Sequence, residues 1–596
     1  MRKTAWALGA LLLYSAVAAQ AATIQADQTN YQSLISSLKP GDTLVLAPGD
    51  YTGLLNIRGV NGTPDAWITI KGPDSGPKPR FLGDPRVCCN TIEIRTGSYF
   101  ALENLVIDGQ NIDGIFGISA AGSDTHHVRI ENCTIVGHGA HQQTVGISTK
   151  TTTWGWILRR NTIVAAGTGM YLGNSDGSVP FIGGLIEYNL FLDSKGYNLQ
   201  VKHQNSRPGV TGVPTTPQRT IIRHNVFIKG TMTNEDGPRP NLLLGGFPDS
   251  GNGSSDLYEV YGNLFFRNGR ESLMQAEGRV SIHDNVFVDC AGTGIYLTNH
   301  NKTLKLAHVY NNTFHSMDRA IHFANAASEG HSVVGNLMFT ARGATGSFTN
   351  SSGNLSDTSA NANLYVKQPG KTLGSMDFYP LPGKCQGAAL DLSAFTGHAD
   401  YARDFNGTAK GAATFRGAYS GEGNNPGWNL ADAIKGQVPS TPPPPSPPPA
   451  PPPGAAAPEG TVRVENGAGK TPDLTVDLQL SVTKAGAGMG AGAQMSFSND
   501  NVTWSTPEPF ATVRPNWPLY AYGGTLSPGT KNVYARLRDV SGQWSAGVAV
   551  ASVVYEPAAA SAPPPAPGGG GGADALSILA LAIALAAAGA RARASG

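Results

Sequence analysis

Lys202 and His203 close a short run, Asn198 to His203, in which apolar and polar residues alternate. An amine beside an imidazole can accept a proton or neutralise an acid. A later run holds Glu271, Gln275 and Glu277. Carboxylates there can act as a proton donor or as ligands for a hard cation. Arg207 and Arg239 lie in the segments that follow Lys202 and can bind a carboxylate. Gln200, Tyr296 and His322 sit at the polar positions of alternating runs and add hydrogen bonds and ring surface. β-Elimination beside a carboxylate needs a neutralising charge, a base and an acid for the leaving oxygen. The catalytic set is therefore expected to be Lys202, His203, Glu271 and Glu277. The binding set is expected to be Gln200, Arg207, Arg239, Gln275, Tyr296 and His322. Hydrolysis would instead need two carboxylates about 5–9.5 Å apart, for which Glu271 with Asp236 or Glu277 is the candidate set. A binding surface without chemistry remains a third reading.

These residues need a scaffold, and a repeat supplies one. Asparagine recurs at 104, 132, 161, 189, 225, 263, 285, 312 and 336, each inside a short apolar run such as Ile222 to Phe227. Steps of this size fit one turn of a β-solenoid. Stacked asparagines can bond from coil to coil, giving a buried polar ladder. A leucine-rich repeat would need a helix per repeat, and none is visible. Strand alternation then points Gln200, Lys202, Tyr296, Thr298 and His322 outward. Ser148, Lys150 and Tyr171 join them upstream. In Glu271 to Glu277 both phases remain open. Two steps are stretched, Asn189 to Asn225 and Asn225 to Asn263. They hold the segments 204–218 and 234–255, which should flank one groove.

The run Tyr31 to Leu38 reads as a short capping helix, followed by Lys39-Pro40-Gly41-Asp42-Thr43 and Gly49-Asp50-Tyr51. This start resembles the N-terminal cap of pectate-lyase-like right-handed parallel β-helix enzymes. Asp404 to Gly407 and Arg416 to Tyr419 resemble the terminal coil of bacterial β-helix proteins. Lys202 followed by polar residues on the next coils resembles chondroitinase-B and alginate-lyase enzymes. That resemblance implies a polysaccharide lyase acting on an acidic, uronate-containing chain, with calcium as a possible cofactor. The chain departs from that pattern, with no evident carboxylate pair for calcium and no arginine one coil beyond Lys202.

The expected class is all-β: a right-handed parallel β-helix over 22–436, then a small β-sandwich over 459–556. A Pro-rich linker, 437–458, separates them, and a Pro/Gly linker spans 557–572. The sandwich resembles immunoglobulin-like or fibronectin-like modules, with Trp504, Trp517 and Trp544 as a candidate sugar surface. Residues 1–21 read as a signal peptide, with Arg2 and Lys3, an apolar run and Ala19-Gln20-Ala21. Residues 573–596 follow five glycines and carry about 16 apolar residues, roughly 24 Å of helix. They resemble a GlyGly-type sorting tag, which implies a sorting protease and an exported, cell-surface protein. With 43 basic and 42 acidic residues, no bulk field favours nucleic acid, and membrane contact is expected only through the tag. Five cysteines are too few for a disulfide framework.

Overall fold

The computed structural model describes residues 21–87, 89–230, 235–438, 457–486, 488–490, 492–540 and 542–557. Most of the expected leader, both linkers for the most part and the C-terminal tag lie outside the described residues. Two compact units divide near Pro447.

The first unit is a parallel β-helix with three faces per coil. One face, here the open face, stacks strands Phe116–Ala120, Val145–Thr149, Thr168–Leu172, Leu199–Val201, Leu242–Leu244, Met274–Ala276, Thr293–Leu297, Arg319–Phe323 and Arg342–Gly346. A second face stacks Thr125–Glu131, Leu185–Glu187, Arg219–Arg223, Leu257–Tyr261, Arg279–His283 and Leu306–Tyr310, among others. The third is a 12-stranded sheet that includes Val226–Ile228, Leu264–Asn268 and Val286–Cys290. Inward residues are mostly apolar. Phe191, Phe227, Phe265, Phe287 and Phe314 stack ring on ring at 4.6–4.9 Å. Cys133, Cys290 and Cys385 are buried free thiols.

Between the second and third faces lies the asparagine ladder. Asn161, Asn189, Asn225, Asn263, Asn285, Asn312, Asn336 and Asn354 link amide to amide at 2.9–3.1 Å. The residue before each must turn with positive φ, as His224 (55°) and Gly262 (66°) do. Asn104 and Asn132 correct the expected repeat. Strand register aligns them with the turn position, and both have positive φ themselves, 58° and 53°. Cys133 occupies the ladder position in that coil, and its backbone N–H donates to Asn161.

The cap helix is shorter than expected, Tyr31–Ile35, and buries those two residues while Leu34 and Leu38 pack on the core. The other end differs more. The last coil strands are Ser351–Ser352 and Leu355–Asp357. Phe405, Ala418 and Tyr419 belong to no terminal coil. They pack instead on the outer side of the third face, against Val226, Leu264, Phe266, Val286 and Leu337. That outer side is apolar and must be covered, and the chain after Asp357 folds back to cover it.

The second unit holds a three-stranded and a five-stranded sheet around Val462, Leu478, Phe497, Trp517 and Val533. Trp517 is fully buried, so it is core and not sugar surface. Trp504 and Trp544 clasp the Arg536 guanidinium at 4.4 and 4.5 Å.

Candidate functional site

The site is located first by what the chain leaves uncovered. The third face is roofed by the C-terminal segment. Over its later coils, from Arg219 to Tyr310, the second face is roofed by residues 395–410. There Arg223 holds Glu187 at 2.8 Å, Tyr261 at 3.0 Å and Asp400 at 3.6 Å, and Lys410 holds Asp284 at 2.8 Å. The open face has no such roof among the described residues.

Strand pairing fixes its central row: Glu93, Ser119, Ser148, Tyr171, Gln200, Leu243, Gln275, Tyr296, His322 and Thr345. The open phase of the 271–277 run is thereby settled. Met274 and Ala276 point inward, and Gln275 and Glu277 outward. Gln200 points outward yet is only 4% exposed, so it forms floor and not grip. Tyr296 and His322 stand side by side with ring centres 5.4 Å apart, and His322 meets Thr345 Oγ1 at 3.0 Å.

Beside this row stand two lysines and a ring. Lys150 Nζ lies 3.6 Å from the Tyr171 ring centre, and Lys202 Nζ lies 5.7 Å from it. Among the described residues neither ammonium has an ion pair. Burial, then repulsion by Lys202, draws the Lys150 amine down to about 8. Burial also lowers Lys202, against the opposing pull of Glu277. Burial raises the Tyr171 phenol, which therefore stays protonated.

The stretched segments meet at one edge of the face, and part of the second also walls the opposite edge. Segment 204–218 and segment 245–256 pack together at the C-terminal edge of the strands, where Arg207 N–H donates to Asn252 O. Segment 235–240 sits at the other edge. It is tied to an earlier coil by Gln142, which accepts from Asp236 N–H at 2.8 Å and donates to Gly237 O at 3.1 Å. Near it, Arg239 lies over the Tyr197 ring at 5.9 Å. Beneath, Lys229 Nζ donates to Arg239 O at 2.7 Å, and burial brings this amine down to about 7.

Several expected site residues are placed elsewhere. Arg207 is a correction: it is buried, pairs with Asp256 and donates to Pro214 O and Thr216 O. It pins its own segment and presents no charge to a ligand. Glu277 points along the rim, where its Oε2 accepts from His300 N–H at 3.0 Å and Lys302 N–H at 2.8 Å. His203 packs on the neighbouring turn, where a Cβ at Gly177 would lie 2.8 Å from its ring. Glu271 lies three residues before the strand that Glu277 follows, and accepts from Ser272 N–H at 2.8 Å. The two carboxylates thus stand at opposite ends of one strand. Among the described residues no group of three His, Cys, Asp or Glu stands close enough to hold a metal ion. Alternation places Lys150 and Tyr171 on the outer face from sequence, as it does Lys202, though outside the expected catalytic and binding sets; Tyr197 and Lys229 have no expected role.

A cavity of about 640 Å³ opens elsewhere, lined by Arg267, Asn268, Asp289, Ser316 and Lys371. Its charges are already matched, Asp289 to Arg267 at 3.0 Å and to Lys371 at 2.9 Å.

Residues 145–338 match the family model described as right handed beta helix region. That match covers both stretched coils and the lysine–tyrosine cluster. The coils are those of a right-handed parallel β-helix. No curated protein matches the sequence. Among solved structures, an alginate lyase from Paenibacillus sp. str. FPU-7 is similar at 17% identity over 56% of this chain and 95% of its own, with TM-score 0.30. The PL6 family alginate lyase AlyGC is similar at 16% identity over 56% of this chain and 51% of its own, with TM-score 0.35. A GH136 lacto-N-biosidase from Eubacterium ramulus is similar at 11% identity over 56% of this chain and 68% of its own, with TM-score 0.34. Likenesses at this level carry no information about chemistry.

Proposed function

We propose that this β-helix protein acts on polysaccharide at its open face, cleaving an acidic, uronate-containing chain by β-elimination. One observation carries the reading: two lysines without ion-pair partners among the described residues flank the Tyr171 ring on the open face. Lys202 neutralises the carboxylate of the reacting uronate and so acidifies the proton beside it, which passes to solvent water on the open face. Tyr171, held protonated by burial, can protonate the leaving oxygen. Tyr296 and His322 extend the surface along the coil axis and suit the apolar faces of sugar rings. Hydrolysis by paired carboxylates is less well served, because Glu277 is committed to backbone amides. The resemblances of the chain's ends fit export and display at a cell surface, with the second unit as a spacer.

The test is a panel of acidic and neutral polysaccharides scored for binding, reducing ends and the ultraviolet absorbance of unsaturated uronate. Absorbance on an acidic polymer, lost in a folded Lys202→Ala variant, is the expected result. Reducing ends without absorbance would replace elimination by hydrolysis. Binding with neither would make the protein a glycan-binding surface.

A further inference from the structure

We propose that Lys150 and Lys202 form a two-pronged clamp for acid groups carried by every second sugar of an extended chain, with Tyr171 as platform between the prongs. This rests on the reading of the open face as a polysaccharide site, and it adds a second binding residue and a spacing rule.

The rule comes from strand register. The inward residues Ala120, Thr149, Leu172, Val201, Leu244 and Ala276 stack in one row. The next residue in each coil is Ala121, Lys150, Gly173, Lys202, Gly245 and Glu277. The ladder continues into this row, because Lys150, Lys202, Gly245 and Glu277 each donate a backbone N–H to the preceding coil. Charge therefore alternates with glycine. Neighbouring parallel strands lie about 4.8 Å apart, so the Lys150 and Lys202 backbones are about 9.6 Å apart along the axis, an upper reach for ammonium groups that both lean over the Tyr171 ring. That is close to the advance of an extended disaccharide.

Gly173 leaves a notch between the prongs. A Cβ there would meet Lys202 Cβ at 3.3 Å and Val179 O at 3.4 Å. Both ammonium groups reach over the same Tyr171 ring. Two unpaired cations around one ring repel each other, and an acid group on each removes that cost. The flanking charges of the row are already satisfied. Arg95 is paired with Glu93 at 2.7 Å, and Glu277 with two backbone amides. The row therefore offers cations at a two-coil interval and not at every coil.

Two kinds of chain present acid groups this way: a copolymer with a uronate at alternate sugars, or a polyuronate whose two-fold twist turns alternate carboxylates to one side. The test uses the full chain and calorimetry at low ionic strength. The probes are a hyaluronan tetrasaccharide with two acids, the disaccharide with one, a polymannuronate tetrasaccharide and a carboxyl-reduced tetrasaccharide. The hyaluronan tetrasaccharide with two acids, or the polymannuronate tetrasaccharide with two of its four acids on one side, should bind about tenfold more tightly than the one-acid probe. Lys150→Gln should remove that gain, and Lys150→Arg should restore most of it. Gain with hyaluronan alone selects the copolymer, and gain with polymannuronate alone selects the twisted polyuronate. No gain with either probe, no binding at all, or a gain unchanged in Lys150→Gln overturns the clamp. Its fate is separable from that of the cleavage reading. A gain without unsaturated product would sink elimination and leave the clamp, while product with no gain would do the reverse.

Discussion

The second face and the open face of the coils use the same kind of strand yet treat charge in opposite ways. On the second face Arg223, Glu187, Asp400, Lys410 and Asp284 are buried and matched to one another under a roof of later chain. On the open face Lys150 and Lys202 share a tyrosine ring and no carboxylate. Buried charges without partners are costly, so the roofed face is solved internally. On the open face Lys150 is exposed and Lys202 half-buried, so solvent meets both ammonium groups and an acidic ligand can take its place.

That contrast can be broken from either side. Arg223→Ala on the roofed face leaves the Glu187 carboxylate with only Arg159 at 3.9 Å and should cost about 3 kcal/mol in chemical denaturation, without altering glycan affinity in molecules that remain folded. Lys202→Ala on the open face should do the opposite. Stability should stay within about 0.5 kcal/mol, and elimination should fall roughly a hundredfold or more. Equal loss of stability in both variants would erase the distinction. Acidity sharpens it further. Lys150, faced by Lys202 and Tyr171, loses its proton near about 8, so it is a cation below that pH and neutral above. Affinity for an acidic chain should therefore fall as pH rises through about 8, while Tyr171, raised by burial, stays neutral. Lys150→Arg keeps its charge and should move the fall to higher pH. The smallest effect is expected from Tyr296→Ala, a few-fold weaker binding with little change in stability.

Much of this was legible in the sequence, because periodicity reports local geometry. The apolar alternation of Leu199 and Val201 was enough to turn Lys202 outward. The asparagine repeat was enough to identify the coils. Its first two members misled because Asn is also favoured where φ is positive, and Asn104 and Asn132 fill that position. What alternation cannot show is a partner supplied by a distant segment. The amides that hold Glu277 come from His300 and Lys302, and the carboxylate that holds Arg207 comes from Asp256. An outward position says only that a side chain leaves the core. Whether it then meets water, a ligand or later chain is decided by segments such as 395–410, whose own pattern is irregular.

The asparagine ladder has an electrical consequence. From Asn189 onward each side-chain oxygen accepts both the backbone N–H and the amide N–H of the preceding asparagine. The backbone donor fixes which end of each amide is oxygen, so every side-chain dipole in the row points the same way. The row is a second macrodipole, running along the coil axis in side chains rather than in peptide units, with its donor end at Asn354. An aspartate has nearly the same shape, but at any ladder position it would set oxygen against oxygen at one junction and interrupt the polarisation there. The coils can be stacked only with their amides in series.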